Sequence, residues 1–310
     1  MDNKNYKEFF AINAFLLLSM MVFGVFGFDI LGMACASAAV CCCMLKSNKA
    51  AIIVSIILAF AADSLVNLSF SYVGGIIICM SAFSVNFAIR GKKSLVYIVA
   101  YGCLGIFVSV MILLAIGQTF DVNGMRPADL RAVTDAASSE VLDIIKQSGA
   151  ADMYTENQIS QIVDIVFMSM VPAAAITAAC VYSYICVAVV KKIEKKLKSG
   201  MCDYIAPFTK IKADKMCAAV MIVSFLVYMF AAKSNIVVCA AALCMFFLIM
   251  IFYYVSAISL FVFIIEKQSG AKKVLMYVML VFAALVFSPA MTVTGIFDSF
   301  ADVRKIAERR

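Results

Sequence analysis

Apolar blocks of membrane-spanning length, punctuated by short lysine and arginine clusters, make up nearly the whole chain, with one acidic interruption between Gly117 and Gln161. A bilayer core of about 30 Å takes roughly 20 helical residues. Inside it every backbone N–H and C=O must be bonded within the chain, which leaves helices as the way for such blocks to cross. The expected fold class is therefore all-α, a polytopic transmembrane helical bundle. Composition agrees: 65% of residues are hydrophobic and 15% charged, against roughly 45–50% and 25% in soluble domains.

Measured with that ruler, spans are expected near Phe9–Phe28, Ile30–Leu45, Ala50–Ala62, Gly74–Ile89, Ser94–Gly117, Ile162–Val190, Met216–Ala232, Asn235–Ile265 and Val274–Thr294. The total is about eight or nine crossings, depending on whether one block is broken or re-entrant. The block from Asn235 to Ile265 is too long for one upright span and must tilt, overhang or break. Lys4, Lys7 and Glu8 precede a first block too long for a signal core, so it is expected to remain as a helix. Three regions follow: an N-terminal membrane bundle over 1–117, an extracytoplasmic loop over 118–161, and a C-terminal membrane bundle over 162–310 with basic inner loops and a short charged tail.

Lysine and arginine set orientation, because they gather on the cytoplasmic side. Lys46 and Lys49, Arg90 with Lys92 and Lys93, the run Lys191–Lys198, Lys210 with Lys212 and Lys215, and Lys267 with Lys272 and Lys273 all fall on one side. That side, with the N-terminus, is expected to face the cytoplasm of a bacterial cell. The excursion from Gln118 to Gln161 holds three basic residues against seven acidic ones and belongs outside. The tail, with Arg304, Lys305, Arg309 and Arg310, fits an even number of crossings better than an odd one.

Within the excursion, Leu130, Val133, Val141, Ile144 and Ile145 recur at roughly helical spacing, which predicts an amphipathic helix between Pro127 and Gln147. Thr155-Glu156-Asn157-Gln158 has the form of a capping box opening the sixth span. Connector over the headgroups and lid over the bundle mouth are both open readings of this segment.

Chemistry is constrained mainly by what the sequence lacks. The chain has no histidine, the commonest metal ligand and the side chain best matched to proton transfer near neutral pH. Of its twelve cysteines, Cys35, Cys79, Cys103, Cys180, Cys186, Cys217, Cys239 and Cys244 are scattered through apolar blocks without metal-ligand spacing and read as soft packing residues. The run Cys41-Cys42-Cys43 adjoins a basic loop, where metal capture or acylation is the alternative to packing. No pair of carboxylates has a spacing that fixes it on one helical face. The expectation is a protein that is not an enzyme and carries no metal, no cofactor and no nucleic-acid site.

Ionisable and amide groups inside spans are costly and are functional candidates by default. Asp63, Asn67, Asp164 and Asn13 are the candidates for lining an outward-facing ligand cavity. Lys191, Lys192, Lys195, Lys196 and Lys198 form a basic end suited to anionic lipid headgroups or an acidic partner. The small-residue runs Ala34–Ala39 and Pro172–Ala179 allow close helix approach, inside the chain or against another membrane subunit. Pro172 and Pro289 are expected to kink their spans.

The order of these features resembles a known family. Phe167-Met168-Ser169-Met170-Val171-Pro172 opens a long span ending in Tyr182-Ser183-Tyr184 and a basic cluster, and a later block starts at Asn235. The terminal Gly295-Ile296-Phe297-Asp298-Ser299-Phe300-Ala301-Asp302-Val303-Arg304-Lys305 carries a closing glycine, aspartate and arginine pattern. Together they are similar to the YybS-like bacterial membrane proteins. This chain departs from them at Tyr253-Tyr254-Val255-Ser256-Ala257-Ile258, where a glycine is common in the family. That family resembles the substrate-binding membrane subunits of energy-coupling-factor transporters. The resemblance implies a small-molecule pocket in the N-terminal bundle and a membrane coupling subunit with a separate ATPase. A second reading is a membrane scaffold or regulator that recruits a partner through its basic inner loops.

Overall fold

The computed structural model describes residues 3–26, 28–46, 49–66, 73–120, 156–197, 200–231, 235–301 and 303–304, with 132, 135–136, 139–140 and 143–144. Its helices, in chain order, are α1 (Asn3–Val25), α2 (Asp29–Leu45), α3 (Lys49–Val66), α4 (Val73–Arg90), α5 (Leu95–Phe120), α6 (Glu156–Lys196), α7 (Lys215–Ala231), α8 (Ile236–Glu266), α9 (Gly270–Val286) and α10 (Ser288–Ala301). Among the described residues there is no strand. By length and composition α1, α4, α5, α6 and α8 can each cross a membrane, and α2, α3 and α7 are shorter apolar helices. With the bent pair α9 and α10, these account for the blocks read from the sequence.

The helices start and stop where local chemistry demands. Asn235 opens α8 by accepting from the backbone N–H groups of Val237 and Val238 at 3.0 and 3.2 Å, which satisfies donors that have no partner within the helix. α6 begins at Glu156, where the capping-box pattern puts a helix start; Thr155 lies outside the described residues. α4 closes with the Lys93 N–H on the Ala88 carbonyl and the Lys92 N–H on the Ile89 carbonyl. Lys92 takes φ 50°, the left-handed position that ends many helices. Of the expected excursion helix, the described residues are all helical and exposed, Ile144 among them; Leu130, Val133, Val141 and Ile145 lie outside the described residues.

The chain forms two compact units, Met1–Val133 with Ala178–Ala206, and Thr134–Thr177 with Pro207–Arg310. These differ from the sequence blocks, because the C-terminal half of α6 and the turn after it belong to the first unit. In that unit α2 packs against α1, α3 and α4. Ala34, Ala36, Ala38 and Ala39 are completely buried. The first small-residue run therefore serves contacts within the chain. In the second run Ala173 is buried while Ala174 and Ala175 are exposed.

In the second unit α8 packs against both α7 and α10. The expected single span Val274–Thr294 is instead broken at Phe287, with α9 and α10 bent by 108°. Pro289 is the second residue of α10, not a kink within a helix. Proline is tolerated there because the first-turn N–H groups have no partner within the helix. Gly295 permits the closest approach of α10 to α8, since a Cβ at that position would run into the Tyr253 carbonyl.

Outward faces carry large apolar side chains. Val278, Met279, Phe282 and Leu285 on α9 and Phe225 and Phe230 on α7 are all exposed. Surfaces of this kind suit hydrocarbon and are unusual over such lengths in water. Gly295→Ala is expected to push α10 off α8 and destabilise the second unit by about 1–3 kcal/mol. The measurement is a fall in the Tm of the detergent-purified protein, and an unchanged Tm would refute the close packing of the two backbones.

Candidate functional site

Buried polar groups in the first unit lie in separate clusters along the helices. Asn13, 6% exposed on α1, donates from Nδ2 to the Phe9 carbonyl at 3.0 Å. Its Oδ1 accepts from Ser55 Oγ of α3 at 2.7 Å, and Ser55 Oγ lies 3.2 Å from Cys43 Sγ of α2. Three helices are thus joined by three side chains. A second fastening joins α2, α4 and α6: the Tyr182 and Ser37 hydroxyls are 2.5 Å apart. Tyr182 also donates to the Met33 carbonyl at 3.0 Å and Ser37 to the Ile78 carbonyl at 3.2 Å.

Asp63, near the end of α3, is 4% exposed. Its Oδ2 accepts from the backbone N–H groups of Gly74 and Gly75 at 3.0 and 3.3 Å. The carboxylate sits on the opening turn of α4, where unbonded N–H groups and the helix dipole favour negative charge. Gly74 is required there, because a Cβ would meet the Asp63 carboxylate. Asn13 and Asp63 are not neighbours. Asn13 bonds at the level of Ser55, about 12 Å along α3 from Asp63, and lies toward the Lys46 end. Asp164 is exposed on α6 and falls in the second unit, so it and Asp63 belong to different compact units. Asn67 lies outside the described residues.

The basic end of the first unit is braced by contacts that sequence reading does not show. Lys46 pairs with Glu8. Arg90 Nη2 donates to the Met44 carbonyl at 2.6 Å, at the end of α2. The Tyr204 hydroxyl donates to the Ile89 carbonyl at 2.9 Å, at the end of α4, and Lys191 Nζ donates to the Ile205 carbonyl at 2.5 Å. The turn over 200–206 is thereby held to two helix ends, with Cys202 and Ile205 buried beneath it. Burial, with Glu194 and Asp203 adding to it, pushes the Cys202 thiol up to about 11, so it is neutral and a poor nucleophile near pH 7. Lys192, Lys195 and Lys196 remain exposed. Lys198 lies outside the described residues.

The second unit holds a cluster that the search for span carboxylates missed. Arg304, 8% exposed, donates through Nε to Asp298 Oδ2 at 3.1 Å. Nη1 reaches the Thr209 carbonyl and Ser259 Oγ at 2.5 and 3.2 Å. Nη2 reaches the Ile211 and Ser256 carbonyls at 2.7 and 3.2 Å. A guanidinium has five N–H donors, and all are used, so no donor is left for an anionic ligand. Chemically the cluster is a fastener. It ties the segment after α10 to the loop before α7, beside Lys210 and Lys212. Gly295, Asp298 and Arg304 of the terminal pattern thus share one structural task, and that pattern was the signal that pointed to them.

Arg304→Ala would strand the fully buried Asp298 carboxylate, at a cost of about 3–5 kcal/mol. Arg304→Lys, which cannot reproduce the planar fork, should recover only part of that loss. Unfolding of the purified variants measures both, and wild-type stability in Arg304→Ala would rule out the fastener.

Comparison with known proteins places the chain without assigning an activity. No curated protein and no solved structure matches it. Residues 11–299 match the family model described as predicted membrane protein DUF2232. A match over that much of the chain, on a fold of apolar helices fastened by buried polar side chains, makes this protein a member of the DUF2232 family of predicted membrane proteins.

Proposed function

We propose that the chain is the small-molecule-binding membrane component of a transport system whose energy comes from a separate ATP-hydrolysing chain. The observation that carries this reading is Asp63. It is an ionisable side chain 4% exposed, seated on the opening turn of α4, about 21 Å along α3 from the basic end at Lys49. A carboxylate at that depth is costly in a membrane unless it has a task. Because its seat joins α3 to α4, a ligand competing for it changes how those helices meet. The likeness to YybS-like proteins and to energy-coupling-factor subunits supports the same role. The sequence carries no glycine-rich lysine loop for ATP.

The basic ends and the N-terminus are placed on the cytoplasmic face of a bacterial membrane, on the strength of the lysine and arginine bias. Reporter fusions at Met1 and within the 121–155 excursion are expected to read opposite sides, and the reverse pattern would invert the assignment.

A panel of vitamins and metabolites tests the binding role through thermal stabilisation of the purified protein. Asp63→Ala is an unsuitable probe, because it leaves buried N–H groups unbonded at about 1–3 kcal/mol. Asp63→Asn keeps an acceptor oxygen, so its unliganded Tm should stay near wild type while ligand stabilisation is lost. Asp164→Ala, at an exposed position, is the companion variant. The reading fails if no compound stabilises the wild type, or if Asp63→Asn responds as the wild type does. A scaffold or regulator role is the second reading, favoured by exposed Lys192, Lys195 and Lys196. Co-purification separates the two: an ATPase and membrane coupling subunit support transport, whereas envelope or signalling proteins support the scaffold.

A further inference from the structure

The basic end of the first unit collects the ends of three helices around one turn. Arg90 bonded to the Met44 carbonyl sets the end of α4 against the end of α2. Tyr204 bonded to the Ile89 carbonyl, and Lys191 bonded to the Ile205 carbonyl, set the 200–206 turn against the ends of α4 and α6. Basic residues therefore converge from separate parts of the sequence: Arg90 at the end of α4 with Lys92 and Lys93 in the turn after it, and Lys191, Lys192, Lys195 and Lys196 from α6. Lys46 from α2 joins them, paired with Glu8. Of the acidic groups on the same elements, Glu194 is buried and Asp203 is exposed on the turn.

The turn over 200–206 sorts its side chains by depth. Cys202 and Ile205 are 2% exposed, whereas Met201 and Tyr204 are each 40% exposed. Gly200 enters the turn at φ 71°, a conformation that favours glycine. Tyr204 thus presents its ring outward while its hydroxyl stays bonded to α4. Immediately along α4 toward the apolar core, Phe83 and Phe87 are each 58% exposed, and Phe87 rests against Tyr101 with ring centroids 5.9 Å apart. Phe87 is about one turn, 5 Å, from Arg90.

We infer that this end of the first unit is a binding site for the headgroup of an anionic glycerophospholipid. The phosphate is taken by the ammonium groups of Lys192, Lys195 and Lys196 together with Lys92 and Lys93, which are all exposed. The glycerol and first acyl carbons lie over Tyr204 and Met201, and the acyl chain continues along Phe87 and Phe83. An acidic protein would be met by the lysines alone. The aromatic and thioether surface at headgroup depth, continuous with a lipid-exposed helix face, is what selects an amphiphile. The site differs from a loose cloud of surface charge because its backbone is fixed: Lys191, Arg90 and Tyr204 are spent as braces, so binding does not have to order the turn.

The full chain, purified and delipidated in a neutral detergent, is titrated with phosphatidylglycerol, with phosphatidylcholine of the same acyl chains, and with inorganic phosphate. Retained lipid is counted by native mass spectrometry and stability is read as Tm. Phosphatidylglycerol is expected to bind and raise Tm, while phosphatidylcholine and phosphate do neither. The combined variant Lys192→Gln, Lys195→Gln, Lys196→Gln should keep the lipid-free Tm and lose roughly ten- to a hundredfold in phosphatidylglycerol affinity. Tyr204→Phe, which keeps the ring and drops the brace to Ile89, should retain the headgroup preference with a smaller loss. Equal retention of the two lipids, or an unaltered triple variant, overturns the proposal. Stabilisation by phosphate alone as strong as by phosphatidylglycerol would assign the site to a free anion. An acidic protein that co-purifies with the delipidated wild type and leaves in the triple variant would assign it to a protein partner.

Discussion

Hydrocarbon offers no hydrogen bonds, so a polar group that enters it must find its partner within the chain. Much of the internal organisation of this protein follows from that constraint. Backbone groups meet it by forming helices. Side chains meet it by reaching across helices, as Ser55 does to Asn13 and Tyr182 does to Met33 and Ser37. In water such hydroxyls would be neutral decoration. Between apolar helices each one specifies which helix lies beside which, because the alternative is an unbonded donor.

The same constraint shapes the helix ends. Carbonyls at the last turn of α2 and α4 have no intrahelical donor, and basic or hydroxyl side chains from elsewhere supply one: Arg90 at Met44 and Tyr204 at Ile89. Asp63 performs the mirror task at the start of α4. In the second unit Arg304 gathers three carbonyls, a hydroxyl and a carboxylate from α8, α10 and the 208–214 segment. Charge in this protein is therefore used in two ways. Buried charges bond helix-end backbone groups or one another, and Lys192, Lys195 and Lys196 at the end of α6 are left exposed. The proposed lipid site draws on the second group while depending on the first for its shape.

How far the sequence could be read depended on range. The apolar blocks correspond to helices because block length and the need for internal backbone bonding are local properties, and Asn235 marked the start of α8 for the same reason. Asp63 was also visible, as a carboxylate in an apolar stretch, but its partner was not, since Gly74 and Gly75 lie in a different helix. Asn13 was grouped with Asp63 as a polar side chain inside a span, and its actual neighbours, Ser55 and Cys43, looked like ordinary small residues. The span Val274–Thr294 read as one block because its apolar run continues through Phe287. Periodicity has no term for a bend, whereas Gly295 against Tyr253 and Arg304 against Ser256 and Ser259 hold α10 and the segment after it against α8.

By itself, the sequence determined that the chain is a helical membrane protein, where its polar excursion lies and which ends are basic. These follow from transfer energies and charge, which add along the chain residue by residue. Only the tertiary structure decided that α2 is enclosed, that Asp63 seats α4, that Arg304 spends every donor on the fold, and that three helix ends brace one basic platform. Those outcomes are pairings between residues far apart in sequence, and a hydroxyl, carboxylate or guanidinium carries no mark of its partner until packing brings the two within reach.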